Sequence, residues 1–78
     1  MRYRAVDVIT YLKGLGCEYD GERYPHGQIW IAPGDQVFML PDPDLDDDDR
    51  WFDAEVINDN LKDRWVGFKT PLPLKQYA

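Results

Sequence analysis

The sequence predicts a small α+β domain in which a three-stranded antiparallel sheet carries two helices on one face, in the order α-β-β-β-α. Two amphipathic helical patterns, a β-hairpin pattern between them and glycine or proline at each junction point to this class. The chain has 78 residues, the length of one domain. We place that domain at residues 1–67 and predict an extended, proline-containing C-terminal tail at residues 68–78.

The first helix is predicted over residues 5–16. Gly16 suits its end, because the left-handed residue that closes a helix carries no Cβ penalty when it is glycine. A short strand over residues 17–19 and a turn at Asp20-Gly21 are expected next. Apolar side chains recur at i, i+3, i+4 and i+7 along the helix, at Val8, Tyr11, Leu12 and Leu15.

A β-hairpin is predicted over residues 28–40. Residues 28–32 alternate, with Ile29 and Ile31 on one side and Trp30 and Ala32 on the other. Residues 36–40 form a second apolar run of strand type. The sequence Pro33-Gly34-Asp35 between them is typical of a tight turn.

The second helix is predicted over residues 51–65, after an aspartate-rich loop that two prolines keep out of regular structure. Asp48 or Asp49 is expected to cap this helix through a side-chain oxygen. Its apolar positions are spaced by three or four residues, at Ala54, Ile57, Leu61 and Trp65.

The net charge is −6, which argues against direct binding to nucleic acid or to an anionic membrane surface. The excess of negative charge is confined to one segment of the chain. Residues 42–63 hold ten acids against Arg50 and Lys62, a net charge of −8, and the rest of the chain has a net charge of +2.

This segment predicts a surface for a basic partner. Glu55, Asp59 and Asp63 fall at i, i+4 and i+8 and form one line on the helix. Such a line can occupy a Lys/Arg channel built for phosphates, with Arg50 and Lys62 orienting the docking. The alternative is a solvated face that only keeps the protein soluble. The predicted partner-binding residues are Asp42, Asp44, Asp46, Asp47, Asp48, Asp49, Trp51, Glu55, Asp59 and Asp63.

Trp51 and Phe52 directly follow the aspartate run. One is expected to face the core. The other is either packed as well or exposed as an aromatic anchor beside the acidic rim.

The order of elements resembles the HicA family of small toxins, which have a fold like that of double-stranded-RNA-binding domains. The resemblance covers residues 5–65. It rests on the helix-to-strand sequence from Val8 to Tyr19 and on the hairpin from Ile29 to Pro41, with its aromatic strand, proline-containing turn and closing proline. It implies the α-β-β-β-α fold.

The resemblance also implies an alternative function, mRNA cleavage by a ribonuclease, or a role as a toxin–antitoxin component. The family motif is Gly-Ser-His at the start of the second strand, and its histidine aligns with Gly27. This chain has His26 one position earlier, after Pro25. His26 is the candidate general base of this alternative, since its ordinary pKa suits proton transfer near neutrality.

By size and charge the chain resembles phage-encoded anti-CRISPR proteins that mimic DNA. The leading hypothesis is therefore a non-enzymatic inhibitor that blocks the basic nucleic-acid site of a partner complex, such as a CRISPR effector, and that is a monomer or a weak dimer.

No metal or cofactor is expected. The alternating aspartates Asp42, Asp44, Asp46 and Asp48 lack the glycine and the final glutamate of a calcium loop. The single cysteine, Cys17, cannot form an intramolecular disulfide and is expected as a small buried side chain. With no visible signal peptide or membrane span, we expect a cytoplasmic protein, in the host cytoplasm if it is phage-encoded.

Overall fold

The chain folds into an α+β structure with two helices and two antiparallel sheets. The structure is a computed structural model that describes residues 1–24, 27–41 and 50–78, without the side chains of residues 22–24. The predicted α+β class is confirmed. The elements in chain order are β1 (Arg2–Arg4), α1 (Ala5–Gly14), β2 (Glu18–Tyr24), β3 (Gly27–Ala32), β4 (Gln36–Leu40), β5 (Trp51–Asp53) and α2 (Ala54–Arg64).

The larger sheet has the strand order β2-β3-β4. Strands β3 and β4 form the predicted hairpin, in which Ile29 pairs with Met39 and Ile31 pairs with Val37. Gly34 and Asp35 make the turn in the left-handed region, with φ of 85° and 61°. Glycine and aspartate tolerate this region better than most residues, which explains why the Pro-Gly-Asp sequence predicted the turn correctly.

Strand β2 is longer than the predicted strand over residues 17–19. It runs antiparallel to β3 and passes through Asp20-Gly21, where the sequence predicted a turn. The pairing register shifts between Tyr19 and Arg23, and Gly21 has a φ of 87°. The glycine therefore accommodates an irregularity within the strand, and the predicted turn is wrong.

A second sheet, β1 with β5, is absent from the predicted order α-β-β-β-α, which is therefore incomplete. Tyr3 lies opposite Phe52 in this antiparallel pair, and both side chains are buried. Main-chain hydrogen bonds extend the pairing beyond the strands, from Ala5 N to Arg50 O (2.9 Å) and from Ala54 N to Met1 O (3.1 Å). Residues 51–53 are thus strand rather than the first turn of the predicted helix.

Both helices are shorter than predicted, and each has a defined boundary. The amides of Gly16 and Cys17 donate to the carbonyls of Lys13 and Leu12, both at 3.0 Å, and Gly16 has a φ of 94°. This is the glycine-closed C-terminus that the sequence predicted. At the start of α2 the capping residue is Asp53, not Asp48 or Asp49, which lie outside the described residues.

The core is formed by side chains from both helices, both sheets and the C-terminal segment. Helix α2 packs against β4, while α1 and α2 directly continue strands β1 and β5. From residues 68–78, Leu72 is buried, and Tyr77 exchanges two main-chain hydrogen bonds of 2.7 Å with Arg2. The buried apolar residues are Tyr3, Ala5, Val8, Leu12, Cys17, Trp30, Ala32, Phe38, Leu40, Phe52, Ala54, Ile57, Leu61 and Leu72.

Candidate functional site

Helix α2 separates an apolar face from an acidic one. Ala54, Ile57 and Leu61 are buried, as their spacing predicted. At the N-terminus, Oδ1 of Asp53 accepts hydrogen bonds from the amides of Glu55 (2.9 Å) and Val56 (3.3 Å). This cap satisfies donors that have no partner within the helix and fixes where the helix begins.

Glu55, Asp59 and Asp63 are all exposed on the side of α2 away from the core, and we call these three residues the acidic row. Successive members are four residues apart, so the row advances about 6 Å per step. Lys62 and Arg64 are exposed in the last turn, near the negative end of the helix dipole.

A surface depression of about 420 Å³ lies at the N-terminal end of the acidic row. Its walls come from three separate parts of the chain: the N-terminus, the end of β5 with the first half of α2, and the C-terminal segment. Three carboxylates contribute to it, together with one side-chain amide from α2 and one from the C-terminal segment. The lining residues are Met1, Asp53, Ala54, Glu55, Asn58, Asp59 and Gln76.

Tyr3 holds the walls of this depression together from beneath. Its buried hydroxyl accepts hydrogen bonds from Nδ2 of Asn58 (3.0 Å) and from Nε2 of Gln76 (3.3 Å). Oδ1 of Asn58 in turn accepts from the amide of Leu72 at 3.1 Å. These bonds join β1, α2 and the C-terminal segment, so hydrogen bonds fix the three segments around the depression relative to one another.

Trp51 lies on the outer face of the β1–β5 sheet and not on α2. It is 39% exposed, whereas its neighbour Phe52 is 2% exposed, because successive side chains of a strand point to opposite faces. The guanidinium of Arg2 lies 4.5 Å from the centre of the Trp51 ring. The ring of Tyr77 meets Trp51 edge-on, with centroids 5.2 Å apart.

Two further cations belong to the same surface. Arg4 is exposed and lies directly opposite Trp51 in the strand pairing. Lys75 is exposed, with Nζ 4.7 Å from the centre of the Tyr77 ring. We call Arg2, Arg4, Trp51, Lys75 and Tyr77 the cation–aromatic cluster. The sequence signal for it, the alternation of exposed and buried residues in 2–4 and in 51–53, is too short to read without the pairing partner.

Of the predicted site residues, the structure therefore brings the acidic row into one line and separates Trp51 from it onto a neighbouring sheet. The general-base candidate His26 lies outside the described residues. So do the predicted partner-binding residues Asp42, Asp44, Asp46, Asp47, Asp48 and Asp49.

Cys17 is buried, as predicted, and burial raises the pKa of its thiol to about 11, because the interior disfavours the thiolate. In residues 1–24, 27–41 and 50–78, no three His, Cys, Asp or Glu side chains form a group that could hold a metal ion. Over the same described residues, neither helix has the length and apolar character needed to cross a membrane.

Comparison of the chain with protein-family models, with curated proteins and with solved structures found no match.

Proposed function

We propose that this protein is a small acidic binding protein that occupies the basic nucleic-acid site of a partner complex and blocks it. The observation that carries the proposal is the acidic row, three exposed carboxylates in one line on a capped and well-anchored helix. A helix gives the row a rigid spacing, so little conformational entropy is lost when the row docks.

The distribution of charge along the sequence supports the same proposal. Residues 42–63 have a net charge of −8, while the remainder of the chain has a net charge of +2. A segment with this excess of negative charge steers association with a basic channel, as the phosphates of nucleic acid do. The protein would then act by binding rather than by catalysis, in the manner of anti-CRISPR proteins that mimic DNA, and a CRISPR effector is one such partner.

We further propose that the scaffold is HicA-like. The succession of a glycine-closed helix α1, the sheet β2-β3-β4 and helix α2 is what favours this likeness. The β1–β5 sheet is an addition to the arrangement that the family implies.

The experiment is a capture assay with the immobilised protein, using the fraction of a cell lysate that binds heparin as the source of basic nucleic-acid-binding proteins. The wild type is expected to capture such a protein at low salt and to release it when salt or excess duplex DNA is added. The triple variant Glu55→Gln/Asp59→Asn/Asp63→Asn is expected to lose most of the capture. Nuclease activity of the captured protein, measured with and without the wild type, then reports inhibition.

The matched control is Glu18→Gln/Asp20→Asn/Asp35→Asn, which removes the same three charges from exposed positions outside the acidic row. It should capture as the wild type does. Equal loss in both triple variants would mean that net charge alone is responsible. Capture that excess DNA does not compete would contradict occupation of a nucleic-acid site. Changing Asp46–Asp49 to Asn tests the sequence-predicted extension of the row in the same assay.

A further inference from the structure

Two surfaces of opposite charge lie next to each other on this protein. The acidic depression is lined by Met1 and Gln76 among others, and their chain neighbours Arg2, Lys75 and Tyr77 belong to the cation–aromatic cluster. The strand pairing makes the contact direct, since Arg2 lies opposite Asp53. The border between the two surfaces therefore runs along β1 and the end of the C-terminal segment.

The basic side of this border is a built surface with an apolar centre. Trp51 and Tyr77 pack edge to face, and Arg2 and Lys75 each lie over one of these rings. Arg2 is also held by a hydrogen bond of 2.9 Å from Nη2 to the main-chain oxygen of Ala78. Cations held over aromatic rings lose little rotamer freedom on binding, and an exposed tryptophan beside arginine is the composition of an interface hot spot.

The acidic side offers the complementary charge. Glu55 and Asp59 line the depression and are exposed, on a helix whose position the Asp53 cap and the Tyr3 hydrogen bonds fix. Each surface thus has a fixed geometry before any partner arrives.

We propose that these paired surfaces make the protein self-complementary and that two copies associate about a two-fold axis at the border. Such an axis places the cation–aromatic cluster of one copy on the acidic depression of the other, and the same contact occurs twice. An axis through the middle of either surface would instead place like charges together and be disfavoured. The occupant of each surface is a second copy of this chain.

This inference goes beyond the proposed function, because it concerns the isolated protein and needs no other partner. It also has a consequence for that function, since the dimer covers Glu55 and Asp59 and a basic partner must compete with the second copy for them. Dimerisation is measured without a partner, so the failure of one proposal is distinguishable from the failure of the other.

The experiment is sedimentation equilibrium of the 78-residue chain at low salt. The wild type is expected to approach twice the mass of one 9.2 kDa chain as its concentration rises. The dimer dissociation constant is expected to rise at least about tenfold between about 50 mM and about 500 mM NaCl, because the contact is ionic and screened by salt. A wild type that stays monomeric at low salt overturns the proposal.

Two charge-reversed variants provide the decisive test. Arg4→Glu/Lys75→Glu and Glu55→Lys/Asp59→Lys should each be monomeric alone, because each homodimer would pair like charges twice. Mixed in equal amounts, they should form a heterodimer in which both contacts are again between opposite charges. Failure of two folded variants to associate on mixing overturns the proposal.

A matched pair of single variants guards against misfolding of the double variants. Asp59→Lys and Asp63→Lys make the same change one turn apart on α2, but only Asp59 lines the depression. Asp59→Lys should raise the dissociation constant at least about tenfold more than Asp63→Lys does. Equal effects of the two would contradict a contact at the depression.

Discussion

At the scale of single residues, two residues that are adjacent in the sequence have different environments, and the backbone geometry decides which of the two is buried. Phe52 is in the core while Trp51 is at the surface, because a strand turns alternate side chains to opposite faces. Helical geometry would have placed the two side chains only about 100° apart on one helix. The sequence predicted that one of this pair faces the core, and the strand determines that it is Phe52.

Cys17 gives a residue-scale prediction. Its thiol is buried and its pKa is raised to about 11 by that burial, so it should react slowly with a thiol reagent at pH 8 in the native protein. In denaturing urea it should react at the rate of a free cysteine. Rapid reaction of the native protein would contradict the burial.

The same pKa shift has a consequence for stability at alkaline pH. The folded pKa of the thiol, about 11, lies above its ordinary value of 9.0, so between these values the unfolded chain loses a proton that the folded chain keeps. Cys17 therefore favours folding below pH 9 and loses this contribution as the pH rises towards 11. Urea unfolding of wild type and Cys17→Ala over this range should show a smaller pH dependence in the variant.

At the scale of elements, the glycine that begins β3 and the glycine that ends α1 differ in the space available for a side chain. A Cβ on Gly27, the first residue of β3, would overlap the main-chain oxygen of Leu40 and the side chain of Met39. Apart from its chain neighbours and the backbone of α1 itself, a Cβ on Gly14, the last residue of α1, would meet no atom of the described structure within 4 Å. The same substitution should therefore have opposite effects in the two elements.

Gly27→Ala is expected to lower the free energy of unfolding by about 2–3 kcal/mol, because the overlapping backbone of β4 must shift. Gly14→Ala is expected to raise it by about 0.5–1 kcal/mol, because alanine loses less conformational entropy in a helix. Urea denaturation followed by circular dichroism measures both. Equal destabilisation by the two changes would show that the close approach at Gly27 is not what matters.

At the scale of the whole molecule, the C-terminal segment completes the core. Leu72 is 3% exposed and its amide is bonded to Asn58 of α2, while Tyr77 pairs with Arg2 of β1. The segment that the sequence predicts as a tail after residue 67 thus contacts both the first strand and the last helix. Its prolines prevent regular secondary structure, but they do not prevent packing.

Leu72→Ala is expected to lower the free energy of unfolding by about 2–4 kcal/mol, because a fully buried leucine leaves a cavity. In a domain of this size that is a large part of the total stability. Leu74→Ala is the control in the same segment, because Leu74 is only partly buried and should cost less. Thermal unfolding of the two variants beside the wild type makes the comparison. A Leu72→Ala variant as stable as the wild type would show that the segment does not belong to the folding unit.

The sequence by itself determined the elements whose signals are local. These signals are the spacing of three and four residues between Ala54, Ile57 and Leu61, the glycine that closes α1, and the Pro-Gly-Asp turn. Each of them acts within a few residues, so its pattern can be recognised in the sequence. The acidic row was predictable for the same reason, since helical periodicity alone aligns its members.

Only the tertiary structure decided the pairing of β1 with β5, the start of α2 at Ala54 and the border between the two charged surfaces. A three-residue strand has no signal of its own, and its hydrogen bonds join residues about 50 positions apart. Such contacts form only when the burial of Tyr3, Phe52 and Leu72 in one core offsets the entropy of closing the loop between them. Side-chain patterns therefore predicted the helices and the hairpin, and long-range packing decided which charged and aromatic side chains lie together on the surface.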